Sequence, residues 1–471
     1  MLTISVCQNE SGIPARVQVG DTIHAGGEGH VHFSVDGRYA VKIYHPHRTR
    51  PDKRRLLERV AVIGQAQGGE DHHFLCWPLA LVQEVDGVPA IGCVTRRIPT
   101  PPFVPLGHLN NSASMAEKWF KGGLDWSHLL QIARGVGRSV AVLHGRGCAH
   151  ADLSNRNFLV DPTPANCDVV LIDLDGIVVP EWLEPQVKGT MGIIAPEVLA
   201  GAAEPGELSD RHSLAVQILQ TLLLRNPMQP LVQLDTNNDV DEMMGWGTRA
   251  VFSEHPTNTS NRPRMLGLPF LSRHGAMSYR MLSPALQQLT YRSLVEGLHH
   301  PSKRPSARDW ISALSWCLDE LHQCTRCGKH YPYPHWNPRR ESRSCPFCGH
   351  RTKTAGNTVF WLYEPSREGQ YSLLPRHIVL AHGWSLFEDV VQPQTDPPMS
   401  RQAGNVPPVA HLEFDVKNKI NRLVCDGGPS WHVQTGRDAP VKMIGRNEST
   451  SLESGTVVRF GQQGRVLVVK E

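Results

Sequence analysis

The chain has 471 residues, 40% of them apolar and 20% charged, with a formal net charge of +3. That length has room for about three domains with real cores, and so small a charge argues against a nucleic-acid or membrane-surface protein. No apolar run approaches the ~18 residues of a membrane helix. Met1-Leu2-Thr3-Ile4-Ser5 lacks the basic-then-apolar pattern of a signal peptide, so a cytoplasmic location is expected.

The first informative stretch is Gly26-Gly27-Glu28-Gly29-His30-Val31, between two β-type segments, the second running from His32 to Tyr39. Ala40-Val41-Lys42-Ile43-Tyr44 follows. Glycines let a backbone approach phosphates closely, and a lysine on the next strand reaches the α- and β-phosphates of a nucleotide. Gly27, Gly29, Val31, Ala40 and Lys42 are therefore candidate nucleotide-binding residues, with Val31 covering the base. Pro51 to Ile63 has a helical apolar stripe at Leu56, Leu57, Val60 and Ile63. Asp52 and Glu58 are the only acids between Lys42 and Gly69. Glu58 is the expected ion-pair partner of Lys42; the plainer reading is a solvated helix-surface glutamate.

Ala80 to Val94 reads as a hairpin around Asp86-Gly87. Thr95-Arg96-Arg97-Ile98 then leads into the Pro-rich stretch Pro99 to Pro105; backbone groups of Arg96 to Ile98 are candidates for binding adenine, and the sequence leaves open which. His128 to His144 has a helical apolar period at Leu129, Ile132, Ala133, Val136, Val140 and Leu143. Beyond it lie His150-Ala151-Asp152 and Asn157, and then Val169-Val170-Leu171-Ile172-Asp173. Phosphoryl transfer needs a lysine on the phosphates, an aspartate to orient the attacking hydroxyl, and oxygen ligands for magnesium. Lys42, Asp152, Asn157 and Asp173 supply that set in the required order. Asp152 is the candidate catalytic residue, with Asn157 and Asp173 as magnesium ligands.

Gly189-Thr190 and Ala195-Pro196-Glu197 follow, then Ser209-Asp210-Arg211-His212, which opens an apolar helix, and Lys303-Arg304-Pro305. With these, residues 15 to 322 resemble a eukaryotic-like Ser/Thr protein kinase. The resemblance implies a bilobal fold, use of ATP and Mg2+, a structural Glu197–Arg304 ion pair, and bracing of the catalytic loop by Asp210. Ala151-Asp152-Leu153-Ser154, Ile172-Asp173-Leu174-Asp175-Gly176 and Gly297-Leu298-His299-His300-Pro301 are similar to bacterial kinases of the group that accompanies TerY-type von Willebrand A proteins and a metal-dependent phosphatase. Such partners are what that resemblance implies.

Ala151 replaces the arginine that in many such kinases reads an activation-loop phosphate, and Thr190 is the only hydroxyl side chain between Asp173 and Ala195. Both point to a kinase not switched by loop phosphorylation. Ser154 and Asp175 also depart from the family pattern, replacing a lysine and a glycine, and they motivate a pseudokinase scaffold as the alternative.

Cys324-x-x-Cys327 and Cys345-x-x-Cys348 are separated by seventeen residues, and each pair is followed by glycine. Two such knuckles give four thiolates for a closed, structural zinc site. His330, His335 and His350 lie nearby as possible substitutes. The remaining cysteines are scattered, as buried free thiols in a reducing compartment would be. A zinc-ribbon nucleic-acid adaptor is a further alternative, motivated by Arg339, Arg340 and Arg343.

The fold class expected is α+β: a kinase small lobe (15–98) and large lobe (99–322) with an irregular insertion at 225–280, a zinc ribbon (323–355), a connecting segment and linker (356–408), and a small all-β sandwich (409–471). Short β-type runs after His411, separated by Gly and Asn turns, argue for the sandwich. Gly455 to Gly461 resembles the closing hairpin of a forkhead-associated domain, a phosphothreonine-binding family, with Arg446, Asn447 and Ser449 nearby.

Overall fold

In the computed structural model, residues 1–7, 12–49, 52–65, 71–111, 113–163, 167–185, 187–263, 278–333, 344–351, 357–367, 369–392, 407–436 and 438–470 are described. His335, Arg339, Arg340 and Arg343 lie outside them, as do Pro51 and most of the 393–408 linker.

Six strands close a barrel at the N-terminus: β1 (Leu2–Val6), β2 (Arg16–Ala25), β3 (Gly29–Ser34), β4 (Tyr39–Tyr44), β5 (Pro78–Val85) and β6 (Val88–Arg96). β1 pairs with both β2 and β5, so this unit begins well before residue 15. Alternation drives the closure: Ile4, Val6, Val17, Val19, Val41, Val82 and Val94 point inward and are buried together. The β5–β6 turn is Asp86-Gly87, both at positive φ, as the Asp-Gly dipeptide indicates. The expected His32–Tyr39 strand is divided. Asp36 accepts from Ser34 Oγ at 2.6 Å and from Arg38, and Gly37 takes positive φ, so a turn separates β3 from β4.

The Lys53–Gln65 helix packs on the barrel through Leu57 and Ala61 against Tyr44, Leu81 and Cys93. A larger helical unit follows. Its long helix, Trp126–Gly145, starts at Asp125, which accepts from Ser127 N at 3.0 Å while His128 Nδ1 receives the Asp125 amide at 3.1 Å. The Glu207–Leu223 and Ala307–Asp319 helices pack against it, and Leu214, Ile218, Leu219 and Leu222 are completely buried. Among its described residues the 225–280 segment carries the short helix Asn238–Met243, which runs on into a π-helical turn at Met244–Thr248, and it is held by side chains. Asn261 bonds Leu231 N, Gln229 O and Val251 O, and Glu254 takes Arg225, Ser278 and the Tyr279 amide. Residues 264–277 lie outside the described set.

The cysteine knuckles do not stand apart from this unit. Cys324, Tyr331 and Cys345 belong to its core. Lys329 Nζ donates to Phe120 O and Leu124 O, both at 2.8 Å, and the His330 amide donates to Asp125 Oδ2 at 2.7 Å.

After residue 356 the chain forms two sheets. Thr358–Arg367 and Gln370–Leu380 pair as a long hairpin and join Val466–Val469, Val457–Phe460, Trp431–Gln434 and Lys442–Ile444 in a six-stranded sheet. Ser385–Leu386, Ala410–Asp415, Ile420–Cys425 and Ser449–Leu452 make the second sheet. Phe360, Leu362 and Trp431 from one sheet meet Leu412 and Leu423 from the other in a common core. Part of the 356–408 segment, expected to be a connector, therefore supplies three strands of this unit, Thr358–Arg367, Gln370–Leu380 and Ser385–Leu386. Its alternation is broken by register shifts near Trp361 and Pro365, which obscured the period of two.

No helix among the described residues is long and apolar enough to cross a membrane.

Candidate active site

The site lies where the barrel meets the helical unit. β3 and β4 pair in register, Val31 opposite Lys42 and Gly29 opposite Tyr44. A side chain at position 29 would put its Cβ 2.1 Å from Ile43 O, so only glycine lets the turn close onto β4. The Gly26 amide donates to Gly29 O at 2.9 Å, completing the hairpin tip that carries Glu28.

Lys42 reaches across to the helical unit. Its Nζ donates to Asp173 Oδ1 at 2.7 Å, to Asp175 Oδ2 at 2.9 Å and to Glu28 Oε2 at 3.3 Å. Burial opposes the ammonium charge, but Asp175, Asp173 and Glu28 outweigh it and hold the Lys42 pKa well above its ordinary value. Asp173 is itself opposed by burial and held below the usual carboxylate range by Lys42. A second cation is close by. Lys53 Nζ donates to Asp175 O at 3.2 Å, and burial, then the neighbouring Lys42, lower its pKa. Two ammonium groups face three carboxylates here, an excess of negative charge suited to a bound cation.

Glu58 is not in this cluster. It is exposed on the Lys53–Gln65 helix, whose buried stripe is Lys53, Leu56, Leu57, Val60 and Ala61. Five residues after Lys53, a helical position has turned about 140° away. The expected Lys42–Glu58 pair is thus replaced by pairs with Asp175, Asp173 and Glu28. None of Glu28, Lys53 and Asp175 was singled out as a site residue from the sequence. Lys53 could have been noticed as a lysine one helical turn before Leu57 on the apolar stripe. Asp175 could have been noticed as the second acid of Asp173-Leu174-Asp175.

The 148–157 loop is held from below by Asp210. Its Oδ2 accepts from the His150 amide at 2.7 Å and contacts His144 Nε2 at 3.1 Å; its Oδ1 accepts from the Ala151 amide at 3.1 Å. Ala151 takes a positive φ of 67° at this point. His150 Nε2 lies 3.0 Å from Ile172 O, and the Ile172 amide donates to Asn157 O at 2.8 Å. Phe158–Val160 and Val169–Leu171 then pair antiparallel, Phe158 opposite Leu171, so Asn157 and Asp173 flank the same hairpin end. Asp173 also takes positive φ. Asn157 Nδ2 donates to Asp152 O at 2.9 Å and to Asp152 Oδ2 at 3.3 Å. With its nitrogen engaged there, the Asn157 side-chain oxygen is the atom left to serve a metal. That hard oxygen and the Asp173 carboxylate, at the same hairpin end, fit a magnesium site by donor chemistry.

Thr190 Oγ1 donates to Asp152 Oδ1 at 2.7 Å. The Glu197–Arg304 pair lies below: two parallel bonds at 2.7 and 2.8 Å, with Arg304 also donating to Gly297 O, Leu298 O and Leu208 O. Of the Arg96–Ile98 backbone expected to face adenine, the Arg97 amide is already bonded to Arg38 O at 2.9 Å, so it is not a ready donor to a base.

Cys324, Cys327, Cys345 and Cys348 place their sulfurs within 4.8 Å of one another, the only such group of metal-holding side chains among the described residues. The two knuckles repeat one hydrogen-bond pattern: Gly328 N to Cys324 O, Gly349 N to Cys345 O, with both glycines at positive φ. His330 Nδ1 is 2.9 Å from Asp125 Oδ2, directed to the helix cap rather than to the sulfurs.

Comparison with known proteins points the same way. The lipopolysaccharide kinase (Kdo/WaaP) family matches residues 109–177, the stretch that contains Asp152, Asn157 and Asp173. The chain is 24% identical over 350 residues to the protein kinase YegI of Escherichia coli O157:H7, covering 70% of this chain and 48% of YegI. It is 32% identical over 133 residues to the probable leucine-rich repeat receptor-like protein kinase At5g49770 of Arabidopsis thaliana, covering 27% of this chain and 13% of that protein. The chain thus spans about half of YegI and a small part of the plant protein. These similarities support a kinase-like protein and a phosphotransferase.

Proposed function

We propose that the protein is an ATP- and Mg2+-dependent protein kinase that phosphorylates Ser or Thr of a partner protein. In this reading the barrel and the helical unit are the small and large lobes. The observation that carries it is the Lys42–Asp173 bond at 2.7 Å, which joins a barrel lysine to the aspartate that follows the Val169–Leu171 strand, while Asn157 bonds Asp152. Lys42 binds the α- and β-phosphates. Asp152 accepts and directs the proton of the attacking hydroxyl. Asn157 and Asp173 would hold magnesium, which neutralises charge on the transferred phosphoryl group. Gly27, Gly29, Val31 and Ala40 form the roof over the nucleotide. Positioning and charge neutralisation supply most of the acceleration in such a site.

The absence of an arginine at Ala151, and a Thr190 hydroxyl already bonded to Asp152, favour activity without activation-loop phosphorylation. The four cysteines suit a structural zinc ion. Tetrahedral Zn–S bonds of the usual length place sulfurs about 3.8 Å apart, and Cys324–Cys348 and Cys327–Cys345 lie at 3.7 and 3.6 Å. The C-terminal sheets serve docking in this proposal, with a forkhead-associated-like role for Arg446 and Asn447, exposed on a turn between strands of the two sheets, and for Ser449, exposed at the start of the second of those strands. A von Willebrand A-type protein and an opposing phosphatase are proposed partners, and a cytoplasmic location is proposed with them.

The test is transfer of labelled γ-phosphate from ATP with magnesium by the full chain beside Asp152→Ala, followed by mapping of the modified residues. Label in the first and none in the second, on Ser or Thr, supports the proposal. ATP binding without transfer, even with candidate partners added, favours the pseudokinase scaffold instead.

A further inference from the structure

We infer that Asp175 is the residue that positions Lys42 for the nucleotide, doing the work expected of Glu58, and that Lys53 locks Asp175 in place. This rests on the phosphotransferase reading of the same site. Three carboxylates contact Lys42, but they are not equivalent. The Asp175 side chain is 5% exposed, whereas Asp173 is 42% and Glu28 53% exposed. Water screens the last two, and both must change partner when a nucleotide enters. Asp173 turns to the metal, and the phosphates displace Glu28 from the ammonium. Asp175 has no such competing task. Its Oδ2 stays within reach of Lys42 Nζ at 2.9 Å and of Lys53 Nζ at 3.8 Å. The Tyr44 ring lies beneath both ammonium groups, 5.2 Å from Lys42 and 4.7 Å from Lys53.

The arrangement also fixes geometry. Lys53 donates to the Asp175 main-chain oxygen as well, so the Lys53–Gln65 helix is tied to the short turn Leu174–Gly176 that follows Asp173. One turn therefore carries both the metal aspartate and the anchor of the phosphate lysine. The acid that departs from the family pattern at position 175 is, in this account, a relocated partner rather than a lesion.

The experiment compares Asp175→Asn, Asp175→Glu and Glu58→Gln in the full chain, reading ATP–magnesium affinity by calorimetry, and kcat and KM by label transfer. Loss of one buried charge-assisted bond predicts about ten- to a hundredfold weaker ATP binding and a raised KM in Asp175→Asn. Asp175→Glu should recover part of it, and Glu58→Gln should match the parent. Unchanged affinity in a folded Asp175→Asn protein overturns the inference. So does a tenfold loss in Glu58→Gln, a variant on an exposed helix face that is expected to fold whatever happens at Asp175. If the parent chain binds ATP but transfers no phosphate, the kinase proposal fails, and the affinity comparison still decides the role of Asp175.

Discussion

Thr190 Oγ1 rests 2.7 Å from Asp152 Oδ1, so the only hydroxyl of the 174–194 segment is committed to the carboxylate that would orient the acceptor. The bond holds one carboxylate oxygen while Asn157 Nδ2 approaches the other. Thr190→Val should lower kcat by about tenfold, the value of one hydrogen bond to a charged group, and leave the KM for ATP nearly unchanged. Steady-state kinetics checks this. Prior phosphatase treatment of the parent protein should not change its rate.

Asp173→Ala removes the proposed metal carboxylate and one partner of Lys42. Label transfer should fall by three orders of magnitude or more, roughly the scale of losing a main electrostatic stabiliser, with thermal stability nearly intact. Gly29→Ala acts differently. Its Cβ meets Ile43 O at 2.1 Å, so the β3–β4 pairing must shift. That variant should show a lower melting temperature as well as weaker ATP binding. An Asp173→Ala protein with unchanged transfer would sink the site assignment.

Glu197→Gln leaves the Arg304 guanidinium, with a fully buried side chain, without its counter-charge. Breaking such a pair costs about 3–5 kcal/mol. Chemical denaturation should show the loss, and the remaining folded fraction should still bind ATP.

The knuckles predict about one zinc per chain, released by a mercurial thiol reagent and detected with a chromogenic chelator. Cys345→Ser should reduce that content and lower the melting temperature. Because Tyr331 and two of the cysteines sit in the core of the helical unit, the loss should be global rather than confined to the knuckles.

Asp125 gives a pH dependence. Burial raises its pKa, but the bonds from His128, His330 and Ser127 outweigh this and leave it below its ordinary value of 3.8. A depressed folded-state pKa means the unfolded chain binds the proton more readily. The stabilisation is present above about pH 4 and is lost as pH falls further. Asp125→Asn should be less stable than the parent at pH 7 and lose less on acidification, as melting curves from pH 7 to 3 would show.

Much of the candidate site was legible because each residue sits in or next to a strongly patterned element. Lys42 stands inside a strand between Val41 and Ile43, Asp173 closes an apolar run, and Asp152 follows a clear helical period. Glu197–Arg304 and the Asp210 brace, implied only by resemblance, are formed as expected. Glu58 failed because acid content between two points in sequence says nothing about helical phase, and Lys53 occupies the inward phase. A buried lysine defeats the rule that charges face water, and here it is tolerated because Asp175 and the Tyr44 face receive it. The 358–380 hairpin was missed for a local reason, since bulges interrupt its alternation.

The seat of the knuckles on Asp125 bears on how the chain can be divided. One carboxylate both caps the Trp126–Gly145 helix and clasps His330. A polypeptide cut after residue 322 would keep every proposed catalytic side chain, yet the start of its longest helix would lose the clamp from Lys329 and His330. The reverse fragment would expose Tyr331 and the apolar side of its knuckles. A fragment meant to keep the helical unit intact should therefore extend beyond residue 351, because the cysteine knuckles buttress that unit.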